Sequence, residues 1–581
     1  MSFARRRSGR SDWLRRQAFS PIEVLETRQL LTTGLQSIAS GYLAPWLPTD
    51  QFVTNPITHQ RELYLASESI NPNNPDSPGL VNEGKVVSGT DREGDQWTIT
   101  VHGPGKVIVT DTTPNDGLLD DDIDTIQIVG SSLTSTYVTG NVIASNKIPA
   151  NFNGINPPPS NGTILFNNLT ALSGVKSIEL NGFDLSDQVT PAVTSTTGVF
   201  LYGGVGTLSF DSIDQSQNTA VSTTPYQIVI GNSTTPLKVK PSIILNNITN
   251  LVFNGSSEND PSTTPLTSPS VEFEINGTVR NFDITSTGPG AVQQGFQVFF
   301  PPVGTTGRTS VQATAVDNLK VAGSAKNFTV SKAPVPFSSE NSGIKFLKKA
   351  TFGGNADGVG IDVKGRIGSL KFKRGLGNPN GVFTSVNSTT GLHQPTTIYG
   401  TPSLTTGYPA AGDLGGQIRA KSIGKLSVNA ANVNVQNPQD PSYGQLIELG
   451  FPVNVTSTGT ALTNAVIVTS GSIDDTSVSG TSLNTEIKTG FDLTSFLAGL
   501  EGTRSASQIA ALTVNNGDLT NSIVSASVRP QNHNYAKNTA TFGPGKINVK
   551  LTNTKLNSTG GTTGLGNTGV GIFARQKRRL K

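Results

Sequence analysis

The chain contains no cysteine. That excludes disulfides, thiolate metal sites and cysteine nucleophiles. Charge is also sparse. Only 14% of the 581 residues are Asp, Glu, Lys or Arg, against roughly 25% in a typical soluble domain. No run approaches the length of apolar residues that a membrane-spanning helix needs, so no transmembrane span is expected. The net charge of +3 is too close to neutral for the body as a whole to be a nucleic-acid binder. Disordered chains pair low hydrophobicity with high net charge, and here the hydrophobic fraction is 34%.

Ser, Thr and Asn fill the gap, together with 63 Gly and 34 Pro. Val and Ile alternate with them, which predicts β-structure with a polar outer face and tight turns. The length exceeds what one core needs, and an array of stacked repeats uses such length without splitting into globules.

A short phrase recurs. Gly365-Arg366-Ile367-Gly368-Ser369-Leu370-Lys371-Phe372 sets the pattern: a Gly, an aliphatic residue, two small or polar residues, then two apolar residues one apart. It returns at Gly204 to Phe210, Gly277 to Ile284 and Gly323 to Val330, and more loosely at Gly174 to Leu180, Ile248 to Phe253 and Ser422 to Val428. Each copy predicts a turn followed by a short strand. Ile367, Leu370, Phe372, Val279, Phe282 and Ile284 are the expected core positions. Copies are unevenly spaced, which a right-handed parallel β-helix or related β-solenoid tolerates because loops can leave between strands. The expected fold class is therefore all-β, with loop insertions at 256–270 and 376–416. The competing architecture is a string of tandem β-sandwich domains. Asn167-Asn168, Asn246-Asn247 and Asn515-Asn516 are corner candidates, since Asn tolerates the left-handed conformation.

Gly103-Pro104-Gly105 sits between the alternating run Trp97 to Val101 and Lys106 to Val109, and predicts a type II turn. Gly-Pro-Gly recurs at 288–290 and 543–545, the last followed by Lys546 to Val549, so the two ends of the body are expected to share one strand–turn–strand form. Two short stretches, Asp492 to Leu500 and Ser505 to Ala511, read as helix. The organisation expected is a basic segment at 1–35, an irregular linker at 36–84, a body at 85–555 and a Gly/Thr-rich basic tail at 556–581.

Six arginines fall in the first sixteen positions. A helix of about eleven residues then begins with the Ser20-Pro21 cap and Glu23, marginal in isolation. The apolar core of a secretory signal is missing; Arg15-Arg16-Gln17-Ala18-Phe19 resembles a twin-arginine signal apart from that lack. Leu25-Glu26-Thr27-Arg28-Gln29-Leu30-Leu31 resembles the LEPR-XLL element found near the start of large exported planctomycete proteins. Thr27 stands where that element most often has Pro. The resemblance implies sorting through Leu25, Glu26, Arg28, Leu30 and Leu31 to the cell surface, periplasm or medium by an export machinery, and no activity. The body, in its many Gly-x-aliphatic phrases, is similar in style to the Gly-rich β-helical exported proteins of that group.

Candidate chemistry is thin. Asp111, Asp116, Asp120, Asp121, Asp122 and Asp124 form the one dense carboxylate run. Asp116, Asp120, Asp122 and Asp124 are the candidate calcium ligands, because hard cations take oxygen donors. EF-hand spacing fails, since Thr112 and Pro114 occupy ligand slots, and a solvated acidic loop is the competing reading. His59, His102, His393 and His533 are too dispersed for a zinc site. No G-x-S-x-G elbow occurs. Polygalacturonase-like enzymes carry Asn-Thr-Asp and Arg-Ile-Lys phrases, and this chain has neither. The expectation is a non-catalytic envelope or adhesive protein meeting envelope components, glycans or neighbouring cells, with charges scattered over wide polar faces. The alternative is a polysaccharide lyase or hydrolase on the same scaffold.

Overall fold

The structure is a computed structural model. It describes residues 52–54, 61–63, 80–90, 95–111, 122–144, 162–186, 197–214, 226–232, 237–249, 271–285, 309–323, 325–326, 328–333, 336–337, 339–354, 356–357, 359–377, 385–386, 393–394, 416–430, 460–463, 465–483, 485–491, 506–520, 522–529, 541–557 and 571–579. The N-terminal segment with its sorting residues lies outside them, as do the helix expected at 492–500, Gly288-Pro289-Gly290 and most of both expected insertions.

The fold is all-β, and the described residues contain no helix. Ser505 to Ala511, read above as helical, is corrected: Gln508–Asn515 is a strand in parallel register with Ile473–Ser479. Its apolar residues, Ile509, Leu512 and Val514, fit a helical face or a bent strand equally well. The neighbouring strand decides, since local preference is a weak prior.

Three parallel ladders dominate. In the first, Val175–Leu185 pairs with Val205–Asp214, which pairs with Ser242–Thr249. The series continues through Val271–Ile284, Thr309–Val321, Leu347–Phe352 and Arg366–Phe372 to Ser422–Asn429, Ile473–Ser479, Gln508–Asn515 and Lys546–Thr552. A second ladder begins at Ile164–Ala171 and runs through Gly198–Leu201, Tyr226–Ile230 and the N-terminal half of Val271–Ile284. It ends with Glu486–Thr489, Ile523–Ala526 and Gly571–Phe573. The third is made of very short strands, such as Thr460–Thr463, Thr481–Leu483, Leu519–Thr520 and Leu556–Asn557. From residue 309 onward the chain visits the second, first and third ladders in that order, repeatedly. The visits are unevenly spaced: Leu347 to Ile367 is 20 residues, and Ile367 to Ile423 is 56. The insertion at 376–416 falls in that longer interval.

The recurring phrase is a rung of the first ladder. Ile367 pairs with Leu347 and Ile423, Leu370 with Ala350 and Leu426, and Phe372 with Phe352 and Val428. Ile367, Leu370, Phe372 and Val279 are fully buried, and Phe282 and Ile284 nearly so. Strict alternation would put 367, 369 and 371 on one face. The observed inward set is 367, 370 and 372, so the strand bends between its first and second apolar residues. Small residues occupy the bend. A Cβ at Gly368 would lie 2.4 Å from the Lys348 carbonyl oxygen, and one at Gly424 2.5 Å from that of Gly368. Glycine is needed there because backbone meets backbone.

One copy of the phrase falls elsewhere than expected. Gly323 to Val330 does not form a first-ladder rung: Ala325–Lys326 pairs in the third ladder and Phe328–Ser331 in the second. Of the copy at Ile248 to Phe253, only Ile248 and Thr249 fall within the described residues, at the end of Ser242–Thr249. The missed rungs at Leu347 and Ile509 lack the leading Gly but keep the apolar spacing, whereas the one at Ile473 has Gly471 in the leading position and Thr476 in place of the second apolar residue. The second ladder shows the same like-on-like stacking: Ile361, Ile418, Ile467 and Ile487 form one column. Phe352 stacks on Phe372 of the next rung at 5.1 Å and 11°, and Phe273 meets Phe282 of the same strand edge-on at 4.9 Å.

Antiparallel strands begin the body. Leu80–Gly84 pairs with Lys106–Asp111, and Val86–Thr90 with Gln96–His102. These in turn border Asp122–Val129 and Tyr137–Ile143, which pass into the second and first ladders. An open ladder edge would present unpaired backbone groups, and the antiparallel strands occupy it. Gly103-Pro104-Gly105 turns with Gly105 at φ 98°, as expected, but its flanking strands pair with different neighbours rather than with each other. Gly543-Pro544-Gly545 is not the same structure: Gly545 has no positive φ, and a Cβ there would lie 1.9 Å from the Ala526 carbonyl oxygen. At the other end, Gly571–Phe573 and Gln576–Arg579, read from the sequence as tail, add a further rung to the second and first ladders. Among the Asn pairs, only Asn516 takes the left-handed conformation, at φ 52°, and Asn553 beside it does the same at 51°. The Asn553 side-chain amide donates to Asn516 Oδ1 at 3.1 Å. Asn167-Asn168 and Asn246-Asn247 lie within strands.

Candidate functional site

The inward faces are filled with apolar side chains, so chemistry has to sit on the outward faces. Asp124 lies in the strand Asp122–Val129, half-buried, where Asn167 donates to it at 3.2 Å; this differs from the exposed loop expected of it. Asp116, Asp120 and Asp121 lie outside the described residues, as does the side chain of Asp122. Among the described residues no three His, Asp or Glu side chains gather as a metal set. His102 is exposed at the end of Gln96–His102, and His59 and His533 lie outside the described residues. His393 falls in a two-residue strand, paired antiparallel with Ser385–Val386.

The densest polar cluster is one the sequence gave no hint of. Asp362 and Arg419 are register partners on adjacent second-ladder strands. Arg419 donates from Nε to Asp362 Oδ1 at 2.9 Å and from Nη2 to Oδ2 at 2.7 Å. Both side chains are buried, at 2% and 0% exposure. Nη2 also reaches the Ser339 carbonyl at 2.6 Å and Ser342 Oγ at 2.7 Å, while Asp362 accepts from the Phe337 N–H and from Ser342 Oγ. Phe337, at φ 63°, lies under the guanidinium, 5.5 Å from its carbon. A bulky residue seldom takes that conformation. The two charges thus clamp the segment around 337–342 to the ladder. Asp362 has the partners that a buried charge requires, while Arg419 is held through Nε and Nη2 with Nη1 buried and unpartnered among the described residues, and the cluster reads as a structural knot. Lys488 and Glu486 make a second buried pair at 2.6 Å.

The outward face of the first ladder is polar and ordered by register. Asn281 donates to Ser242 Oγ at 3.2 Å, and Asn318 to Asn281 Oδ1 at 3.1 Å, one rung to the next. Asp317 takes Lys240 at 2.8 Å and Lys348 at 2.6 Å. Burial would raise its carboxyl, but the two ammoniums outweigh burial and hold it below the usual carboxylate range. Burial raises the carboxyl of Asp211, with the Gly182 N–H pulling the other way. Neither carboxylate lies in a constellation fit for acid–base work among the described residues. Lysines are not scattered as the sequence reading expected. They concentrate on the rungs between 316 and 428, a region the net charge of the chain concealed.

No helix among the described residues is long and apolar enough to cross a membrane. No protein family, curated protein or solved structure matches the chain.

Proposed function

We propose that this is an exported, non-catalytic protein of the cell envelope or surface, built on a right-handed parallel β-helix. The order of ladder visits and the like-on-like columns support the helical winding. Right-handedness follows from the near-universal hand of parallel crossover connections. The observation that carries the functional reading is the first ladder's outward face. Its polar side chains repeat from rung to rung at about 4.8 Å, and that periodicity suits a partner that is itself a repeating polymer. The Leu25 to Leu31 segment is the address in this reading, delivering the body to the envelope, where it coats or adheres. Fold by itself does not separate this from catalysis, since one scaffold hosts many roles.

Two experiments test it. Removing residues 1–35 should abolish export and leave the circular dichroism spectrum of the body β-rich; a truncated chain that still reaches the surface sinks the address. Incubating the full chain with acidic and neutral polysaccharides, with and without calcium, should release no reducing or unsaturated ends. Turnover lost on Asp124→Ala would establish the enzymatic alternative instead.

A further inference from the structure

We infer that the first-ladder face between residues 316 and 428 is a binding surface for an anionic polysaccharide. This deepens the reading above by naming the ligand class, and it rests on that reading only for where the ligand would be met. Four consecutive rungs, led by Val316, Leu347, Ile367 and Ile423, carry the surface. Lys345, Lys349, Lys371, Lys373, Arg374 and Lys421 are all exposed, and among the described residues no carboxylate lies within ion-pair distance of any of them. They span the face from edge to edge. Lys345 and Lys421 sit at the corner where the chain enters the first ladder, their N–H groups bonding to Thr314 and Gly365 of preceding rungs. Lys349 and Lys371 point out from neighbouring strands, and Lys373 and Arg374 follow the end of one of them.

Asp317 stands within the first of these rungs, engaged by Lys240 and Lys348, and further carboxylates bound the patch. Asp283 pairs with Lys320 at 3.3 Å on one side, while Asp474 and Asp475 pair with Arg366 at 2.8 Å and Lys425 at 3.7 Å on the other. The cationic field therefore ends within one rung at either border. Lys349 faces Ser369 and Lys371 faces Thr351 and Ser427 across the register, so these cations share one face without being direct rung-to-rung partners. Like charges gathered on one face repel one another, and a partner supplying spaced negative charge relieves the repulsion.

The residue types select the partner. Ser369, Thr351 and Ser427 stand between the cations in the same rungs, leaving the ammonium groups accessible. The large apolar side chains exposed among the described residues are Tyr137, Ile143, Leu172, Tyr202 and Leu556, none of them on these rungs. A single-stranded nucleic acid would want aromatic platforms, and a membrane surface would want apolar anchors beside the charge. Five of the six unpaired cations are lysines, compact point charges rather than the forked guanidinium suited to phosphate. A flat lysine field without anchors fits a sugar polymer bearing carboxylate or sulfate groups along its length.

The test is direct binding of the full chain to polygalacturonate, dextran sulfate, neutral dextran and duplex DNA at low ionic strength. One or both anionic sugars should bind, neutral dextran should not, and binding should fade toward about 1 M salt. The triple variant Lys349→Gln, Lys371→Gln, Lys373→Gln should weaken binding by about tenfold or more. The variant Lys238→Gln, Lys550→Gln, Lys555→Gln, with three exposed lysines changed elsewhere, should bind as the parent does. Circular dichroism checks that both variants fold. Equal loss in both variants, no loss in the first, or tighter binding to DNA than to either anionic sugar overturns the assignment. Failure here with intact export would leave the envelope reading standing, and loss of export with intact binding would do the reverse.

Discussion

Thr476 occupies a core position of the first ladder, between Leu426 and Leu512 in register. It is 0% exposed, and its Oγ1 has no hydrogen-bond partner. Valine has almost the same shape, so Thr476→Val opens no cavity and forces no overpacking. What changes is the hydroxyl. A buried polar group left unpaired is destabilising by about 1–3 kcal/mol, so its removal should stabilise the protein by about 1–2 kcal/mol. Thr489 supplies the control. It is also fully buried, but its Oγ1 is 3.0 Å from Ser507 Oγ, which is 2.8 Å from Ser527 Oγ. Thr489→Val breaks that chain and should destabilise by about 1 kcal/mol. The same chemical change thus has opposite signs at two buried positions. Urea denaturation reads it: the midpoint should rise for Thr476→Val and fall for Thr489→Val, with the slope unchanged in both. A lowered midpoint for Thr476→Val would mean that the hydroxyl is satisfied, and the stacking account of that rung would fail.

Arg419→Met leaves Asp362 buried without its main counter-charge and should lose about 3–5 kcal/mol; the double change with Asp362→Leu should lose clearly less than the two single losses added, as a double-mutant cycle would register. Asp317 has its folded-state acidity displaced below the unfolded value near 3.9, so its contribution is present above about pH 4 and is lost as pH falls through the folded-state value. Asp317→Asn should therefore flatten the acid limb of a stability–pH profile. Gly368→Ala would force a methyl toward the Lys348 carbonyl oxygen at 2.4 Å and should destabilise by about 1–3 kcal/mol, measurable by the same urea titration; an unchanged midpoint would refute the need for glycine at the bend.

The apolar spacing of Ile367, Leu370 and Phe372 was readable because each rung must bury its own inward residues whatever lies beside it. That spacing announced β-structure, a repeating unit and a core before any coordinate. The leading glycine was a weaker guide. It sits at the corner before the strand, where Lys345 and Ser507 stand in the rungs of Leu347 and Ile509, and Gly323 precedes strands of the third and second ladders instead. Asp362 and Arg419 are 57 residues apart, with nothing local to mark either one; only the pairing of their strands makes them partners. The lysine face has the same origin. The net charge of +3 averages over the whole chain, whereas register sums charges from strands as far apart in sequence as Leu347–Phe352 and Ser422–Asn429. Local pattern, which depends on each strand's own need to bury one face, belongs to the sequence. Which side chains meet across strands depends on how far the chain travels between rungs, and that was decided by the tertiary structure.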